Sequence, residues 1–208
     1  MDKRQGFQNK SDKEEVLSVY SGKNPSALRS QNMLAHAFLD LLQEEDFEDV
    51  TVTMICQRAQ VARQTFYNVF DSREDVVRYL IFEVYRAFEQ QILGHDVISF
   101  QVFSRETFRC FEKNSALVDV LIRNNMTSIL QEEFQCYLKR ILSRFHCASE
   151  ELNEPANQAF ITGGLCAMAI QCATDHDALD PETRAEHFAT LFNIGDFVRI
   201  DEPILCHL

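Results

Sequence analysis

The segment from Thr51 to Val76 constrains the fold of this 208-residue chain more than any other part of it. Two short stretches with the apolar spacing of helices are separated there by a turn at residues 60–62. A further helix start follows at once, because Ser72 can cap it and Asp75 stands three residues later, as in a capping box. Two short helices, a tight turn and a long capped helix predict a helix-turn-helix unit.

The rest of the chain shows helical periodicity and no alternating pattern of the kind that predicts strands. Its 6 glycines and 4 prolines are few for a strand-rich fold, which needs many turn residues. We therefore predict an all-α fold of about nine helices, with an N-terminal three-helix head and a C-terminal helical body. The predicted helices span about 26–43, 52–59, 63–70, 73–93, 97–113, 115–123, 127–147, 155–173 and 181–199. The predicted domains are a flexible arm over 1–24, a helix-turn-helix head over 25–72, and a helical body over 73–208.

An ordered set of residue types runs through the head and the start of the body. It comprises Thr51, Ile55-Cys56, Ala59-Gln60-Val61-Ala62, Thr65-Phe66-Tyr67, Phe70 and Arg73-Glu74. In this order and spacing the head resembles the TetR family of transcription factors, whose turn reads Ala-Gly-Val-Ser. The resemblance implies a sequence-specific DNA-binding transcriptional regulator, expected to be a repressor controlled by a small-molecule effector.

The exposed side of the third predicted helix carries side chains that hydrogen-bond to bases or grip phosphates. The resemblance implies base reading by Arg63 and Gln64, and a phosphate contact by Arg73. The predicted DNA-binding residues are Thr51, Thr53, Arg63, Gln64, Thr65, Tyr67, Asn68 and Arg73. The implied partner is double-stranded DNA with a pseudo-palindromic operator, read by a homodimer that places two copies of this helix in successive major grooves.

Two departures from the family pattern fall in the turn. Gln60 stands where the family has Gly, and a non-Gly residue held at positive φ costs about 1 kcal/mol. Ala62 stands where the family has a capping Ser, and the loss of a helix cap costs about 1 kcal/mol. Both changes are expected to affect DNA affinity and the rigidity of the turn more than the fold.

The body is expected to bind an effector and to dimerise, because TetR-family bodies do both. Aromatic and apolar side chains that would line a pocket for an apolar or aromatic effector are Phe100, Phe103, Phe108, Phe111, Met126 and Phe134. Small and apolar faces on the last two helices predict an isologous dimer interface at Gly163, Ala167, Ile170, Phe188, Leu191 and Phe192. The alternative for both sets is an ordinary intramolecular core.

Composition and motifs exclude several other classes. A net charge of -12 argues against a protein that coats nucleic acid indiscriminately. The 7 cysteines form no Cys-x-x-Cys pair, so a reducing cytoplasm is expected, with no zinc site and no cofactor. No apolar run reaches the roughly 20 residues of a membrane span, and no catalytic motif is present, so no enzyme is predicted. The alternative function is a helical adaptor or co-activator that binds DNA weakly and acts through a partner protein.

Overall fold

The computed structural model describes residues 24–147, 154–175, 179–191 and 197–199. The predicted helical architecture is confirmed: nine helices lie within these ranges. They are α1 (Pro25–Glu44), α2 (Val52–Arg58), α3 (Arg63–Tyr67), α4 (Arg73–Ile92), α5 (Phe100–Lys113), α6 (Ser115–Arg123), α7 (Thr127–Leu142), α8 (Pro155–Thr174) and α9 (Pro181–Leu191). Apart from Asn24, the arm predicted over 1–24 lies outside the described residues. No helix in these ranges combines the length and the apolarity that a membrane crossing requires.

Local capping chemistry fixes the start of the two longest helices near the head. The Asn24 side chain accepts a hydrogen bond from the Ser26 amide at 3.1 Å, and Pro25 occupies the first turn of α1. At α4 the Asp75 amide donates to Ser72 Oγ at 3.1 Å, and the Ser72 amide donates to Asp75 Oδ2 at 2.8 Å. The capping box predicted from the sequence is therefore present, and it sets where the head ends and α4 begins.

A small antiparallel sheet joins three distant parts of the body. Its strands are β1 (Val97–Ile98), β2 (Phe145–Cys147) and β3 (Phe197–Arg199), in the order β1-β3-β2. The helices predicted over 97–113, 127–147 and 181–199 are therefore wrong at these ends. Val198 pairs with both Val97 and His146, so the partners come from far along the chain. Strands this short carry no periodicity of their own, and long-range pairing overrides the helical pattern.

Helix α4 packs against both parts of the molecule. Near its start, the Tyr79 hydroxyl donates to Asn32 Oδ1 of α1 at 2.8 Å, and the Tyr79 ring lies 5.6 Å from that of Phe70. Further along, the Tyr85 ring stacks on Tyr137 of α7 at 5.0 Å. One continuous helix thus carries contacts from the head into the body.

Candidate nucleic-acid interface

The turn between α2 and α3 is a Schellman motif with a non-glycine residue at its left-handed position. Gln60 has φ 55°, its amide donates to Gln57 O at 3.2 Å, and the Val61 amide donates to Cys56 O at 3.0 Å. These two bonds satisfy carbonyls at the end of α2 that no helical partner reaches. Gln60 therefore has the positive φ expected at this position. The two hydrogen bonds hold the turn in this left-handed conformation although Gln60 is not a glycine.

Helix α3 begins without a side-chain cap. Ala62 has the extended backbone of an N-cap residue, with φ -73° and ψ 149°, and its methyl group accepts no hydrogen bond. The Thr65 amide instead donates to Ala62 O at 2.9 Å. The missing cap expected from the sequence is confirmed, which leaves the first turn of α3 held by backbone bonds and by packing.

The buried side of the α2–α3 unit is apolar, as the spacing predicted. Ile55, Phe66 and Phe70 are almost completely buried, and the rings of Phe66 and Phe70 lie 5.8 Å apart. Ala59 is buried at the end of α2, where a larger side chain would separate the helices. Cys56 is buried beside them, and burial raises the pKa of its thiol. This core fixes which side of α3 faces solvent.

Four of the predicted DNA-binding residues lie exposed on α3 and its C-cap. Arg63, Gln64, Tyr67 and Asn68 are exposed, while Thr65 is half-buried. Gln64 Nε2 donates to Asn68 Oδ1 at 3.2 Å, so the two amide side chains form a pair one helical turn apart. Tyr67 is 49% exposed, and its ring makes an edge-on contact with Phe66 at 5.4 Å. The arrangement presents a guanidinium, two amides and a phenol to solvent on one short helix.

The two threonines predicted to contact DNA lie at the start of α2. Both Thr51 and Thr53 are exposed. Thr51 is the N-cap, and its hydroxyl oxygen accepts a hydrogen bond from the Met54 amide at 3.3 Å. A hydroxyl that accepts one bond still has its own hydrogen to donate. Thr51 is therefore able to cap α2 and to donate outward at the same time.

Arg73 is turned toward the loop between α1 and α2, residues 45–51. Its Nη1 donates to Phe47 O at 2.7 Å and also to Val50 O, and its guanidinium lies over the Phe47 ring at 4.4 Å. These contacts use Nη1 of the guanidinium that the family resemblance predicted to contact a phosphate. In this conformation Nη1 of Arg73 supports the loop, and a phosphate contact would use the other N–H donors of the guanidinium or exchange the bonds of Nη1.

The cationic character of the α2–α3 unit is smaller than its sequence indicates. Arg58 donates to both carboxylate oxygens of Glu44 on α1, at 2.7 and 3.1 Å, and this pairing lowers the pKa of Glu44. Arg63 forms no ion pair with any residue in the described ranges. The neutralising partner lies 14 positions earlier in the chain, where only the packing of α1 on α2 brings it close.

Comparisons with known proteins agree with this geometry. Residues 35–80, which run from α1 through the turn into α4, match the family model described as bacterial regulatory proteins, tetR family. Over these residues the chain has the helix-turn-helix head of the TetR family. A curated relative, the HTH-type dhaKLM operon transcriptional activator DhaS of Lactococcus lactis, is 41% identical over 64 residues, which are 31% of this chain and 34% of the relative. The match thus spans about a third of that relative's length.

Solved structures are similar to the chain over most of its length. Lin0861 from Listeria innocua has a TM-score of 0.68 at 15% identity, covering 82% of this chain and 92% of that one. A TetR transcriptional regulator from Streptococcus agalactiae has a TM-score of 0.58 at 19% identity, covering 80% and 94%. At these identities the likeness establishes the fold, including the helical body that the family model does not reach.

The residues predicted to line an effector pocket pack as core in the helical body. All six of them are buried: Phe100, Phe103, Phe108, Phe111, Met126 and Phe134. The Phe111 ring meets that of Phe134 edge-on at 5.6 Å. An adjacent cavity has a volume of about 20 Å³, and Phe111 is the one predicted residue among those that line it. That space is enough for a water molecule and far less than a drug-sized ligand occupies.

The predicted dimer residues separate into an exposed set and a buried one. On α8, Ala167 is exposed and Gly163 and Ile170 are partly exposed, and Leu191 on α9 is 73% exposed. The structure contradicts the predicted dimer contact of Phe188, because this side chain is only 2% exposed. It packs within its own chain, with its ring centroid 5.4 Å from that of Phe100. The predicted interface residue Phe192 lies outside the described residues.

One exposed aromatic residue was missed by the sequence reasoning. Phe160 on α8 is 66% exposed and stands three positions before Gly163, on the same side of the helix. The i, i+3, i+7 spacing of Phe160, Gly163 and Ala167 places the three residues on one helix face and could have indicated Phe160. Only the small residues of that face were predicted to form the interface.

Proposed function

We propose that this chain is a sequence-specific DNA-binding transcriptional regulator that reads duplex DNA with α3. The observation that carries the proposal is the exposed array of Arg63, Gln64, Tyr67 and Asn68 on a helix whose opposite side is locked into the head core. A helix of this kind fits the major groove, and its polar side chains match the donors and acceptors of base edges.

Each side chain of the array has a distinct chemical use. Arg63 suits the O6 and N7 acceptors of guanine, because its guanidinium donates two parallel hydrogen bonds. Gln64 suits adenine, since its amide is able to accept from N6 while it donates to N7. The Gln64 amide group has two hydrogens, so its bond to Asn68 leaves one for a base. Tyr67, Thr65 and Asn68 then supply hydrogen bonds to phosphates or neighbouring bases.

A homodimer completes the proposed reader. The exposed apolar residues of α8, with Leu191 of α9, offer a surface for an isologous contact between two copies of the chain. Two heads related by a two-fold axis address half-sites about 34–36 Å apart, or a multiple of that, in a pseudo-palindromic operator. Each copy then contributes its own α3 to one major groove.

An apolar or aromatic effector is proposed to act on the body. A ligand that enters the cavity of about 20 Å³ beside Phe111 has to displace side chains of the body, whereas the groove of about 340 Å³ between α4 and α5 has space for a small ligand. A ligand that binds only an opened body shifts the population toward that state, and DNA affinity changes if the opened state spaces the heads differently. Repression or activation then depends on where the operator lies relative to the promoter. The Lactococcus lactis relative is described as an activator, and the family resemblance led us to expect repression.

One observation favours a second function, that of an adaptor acting through a partner protein. Arg58 is paired to Glu44, and Arg73 keeps its charge but is held by the α1–α2 loop, so the head offers less free positive charge to phosphates than its sequence indicates. Phosphate contacts supply much of the affinity of DNA-binding proteins, and they make it depend on salt. An adaptor predicts a shallow salt dependence and no preference for sequence.

The deciding experiment measures binding of the purified full chain to DNA fragments upstream of its own and neighbouring genes, at low and moderate salt. Arg63→Ala is expected to reduce the ratio of specific to non-specific affinity by about 5- to 150-fold, the range for one bidentate base contact. Arg58→Ala is the matched control, because it removes the same charge from an arginine that is already paired. It is expected to leave that ratio unchanged. A folded wild-type protein with no specific binding at either salt concentration would favour the adaptor.

A further inference from the structure

We infer that Asn124, in the turn between α6 and α7, is a positioning residue that couples the body to the DNA-reading head; the inference rests on the proposed function. The Phe47 amide, in the α1–α2 loop of the head, donates a hydrogen bond to Asn124 Oδ1 at 2.7 Å. The two residues are 77 positions apart, so the bond joins elements that the chain itself does not connect directly.

The position of Asn124 is set by the end of α6. Its Nδ2 donates to Val120 O at 2.8 Å, which holds the amide plane and leaves Oδ1 to accept from the head. The next residue, Asn125, has φ 56°, and the Met126 amide donates to Leu121 O at 2.7 Å. These features make a second Schellman motif, so Asn124 moves with α6 as one piece.

Phe47 is held from two further sides. Its carbonyl accepts from Arg73 of α4 at 2.7 Å, and its ring lies under the Arg73 guanidinium at 4.4 Å. The same ring makes an edge-on contact with Phe38 of α1 at 6.0 Å. The loop that leads into α2 is therefore held by α1, by the start of α4 and by the end of α6.

The body cavity lies between two of these three elements. Tyr85 and Ile81 of α4 line it on one side, and Leu117 and Val118 of α6 line it on another. A movement that separates α4 from α6 at the cavity is expected to change the distance between Arg73 and Asn124, the two groups that hold Phe47. The bond between Asn124 and Phe47 thus gives the body a direct mechanical connection to the loop that precedes α2, separate from the path along α4.

The chain offers a matched control in Asn114. Its Nδ2 donates to Cys110 O at 2.7 Å, four residues back at the end of α5, as that of Asn124 does at the end of α6. Asn114 makes no hydrogen bond with the head among the residues that the structure describes. Asn114→Ala therefore removes the same helix-end bond without touching the head.

The test compares full-length Asn124→Ala and Asn114→Ala in the absence of DNA, by amide hydrogen exchange over residues 45–51. Loss of one hydrogen bond is expected to speed exchange of the Phe47 amide by about fivefold in Asn124→Ala, with no change in Asn114→Ala. Asn124→Asp keeps an acceptor oxygen for the Phe47 amide but loses the donor to Val120 O, so it is expected to restore part of the protection. Operator affinity is expected to fall in Asn124→Ala and to recover in part in Asn124→Asp.

The outcomes separate this inference from the proposed function. Exchange that is unchanged in Asn124→Ala, or raised equally in both alanine variants, would overturn the coupling even if the wild-type chain binds its operator. If the exchange contrast appears while the wild-type chain binds no DNA, the coupling stands and the proposed function fails. Should Asn124→Ala not fold, Asn124→Asp against Asn124→Leu supplies the same comparison, since leucine has the size of asparagine but no acceptor.

Discussion

Gln64 and Asn68 form a hydrogen-bonded amide pair on the exposed side of α3, with Gln64 Nε2 donating to Asn68 Oδ1 at 3.2 Å. In a free glutamine the amide rotates, and binding to a base costs the free energy of fixing it. The pair fixes the Gln64 amide before DNA arrives. If Gln64 contacts a base as proposed, Asn68 is expected to affect reading at that base pair, whether or not it touches DNA itself.

Asn68→Ala is expected to weaken operator binding by about threefold to tenfold, the cost of immobilising one long side chain. Discrimination at a single A·T pair is expected to fall with it. Titrations with the operator and with single-base variants measure both effects. In a double-mutant cycle, Gln64→Ala with Asn68→Ala should lose less than the sum of the two single losses, and strictly additive losses would contradict the paired arrangement.

The strained turn gives a prediction on stability. Gln60→Gly is expected to raise the free energy of unfolding by up to about 1 kcal/mol, because φ 55° costs glycine no steric energy. Gln57→Gly, at an exposed position inside α2, is expected to lower it by about 0.5–1 kcal/mol. Urea titrations of both variants measure the two shifts. A destabilised Gln60→Gly would mean that the glutamine side chain contributes more than the strain removes.

Phe188 and Phe160 are expected to respond differently to truncation. Phe188→Ala removes a buried ring that packs on Phe100 and should lower stability by about 3–5 kcal/mol. Phe160→Ala removes an exposed ring of α8, so it should change monomer stability little and weaken self-association if α8 forms the dimer contact. Chemical unfolding and sedimentation measure the two properties separately. An unchanged association constant in Phe160→Ala would place the dimer contact elsewhere.

Thiol reactivity should follow burial. Burial raises the pKa of Cys110 and of Cys166 to about 12, so both remain protonated thiols between pH 7 and 9. The thiolate is the reactive form, and Cys136 is exposed on α7. Among the cysteines whose burial the structure describes, alkylation of the native chain should therefore modify Cys136 first, at a rate that rises with pH, while Cys110 and Cys166 react only after unfolding. Peptide mapping by mass spectrometry checks the order, and early labelling of Cys166 would show that the body opens readily.

Local chemistry made the head predictable. The Ser72–Asp75 capping box, the turn at Gln60 and the apolar spacing of Ile55, Phe66 and Phe70 all lie within about 25 consecutive positions, where side-chain preferences act directly on the backbone. The exposure of Arg63 and Gln64 follows from the same spacing. Their roles at DNA remain predictions.

The features that the sequence did not predict depend on contacts between residues far apart in the chain. Glu44 neutralises Arg58, and the α1–α2 loop binds Arg73, through contacts that only the packed fold brings together. Phe188 looked suited to a dimer face because its spacing on α9 is apolar, and spacing alone does not distinguish one chain's core from an interface. The strands at 97–98 and 145–147 likewise exist because residues near 198 reach them.

The continuity of α4 has a geometric consequence. A 20-residue helix is about 30 Å long, so it acts as a lever whose one end lies in the body and the other beside the head. A tilt of about 5° at the body end displaces the Arg73 end by about 2.6 Å over that length. The rise between successive base pairs is about 3.4 Å. If α3 reads DNA as proposed, a small tilt of α4 in the body is therefore sufficient to shift the head by most of one base-pair step.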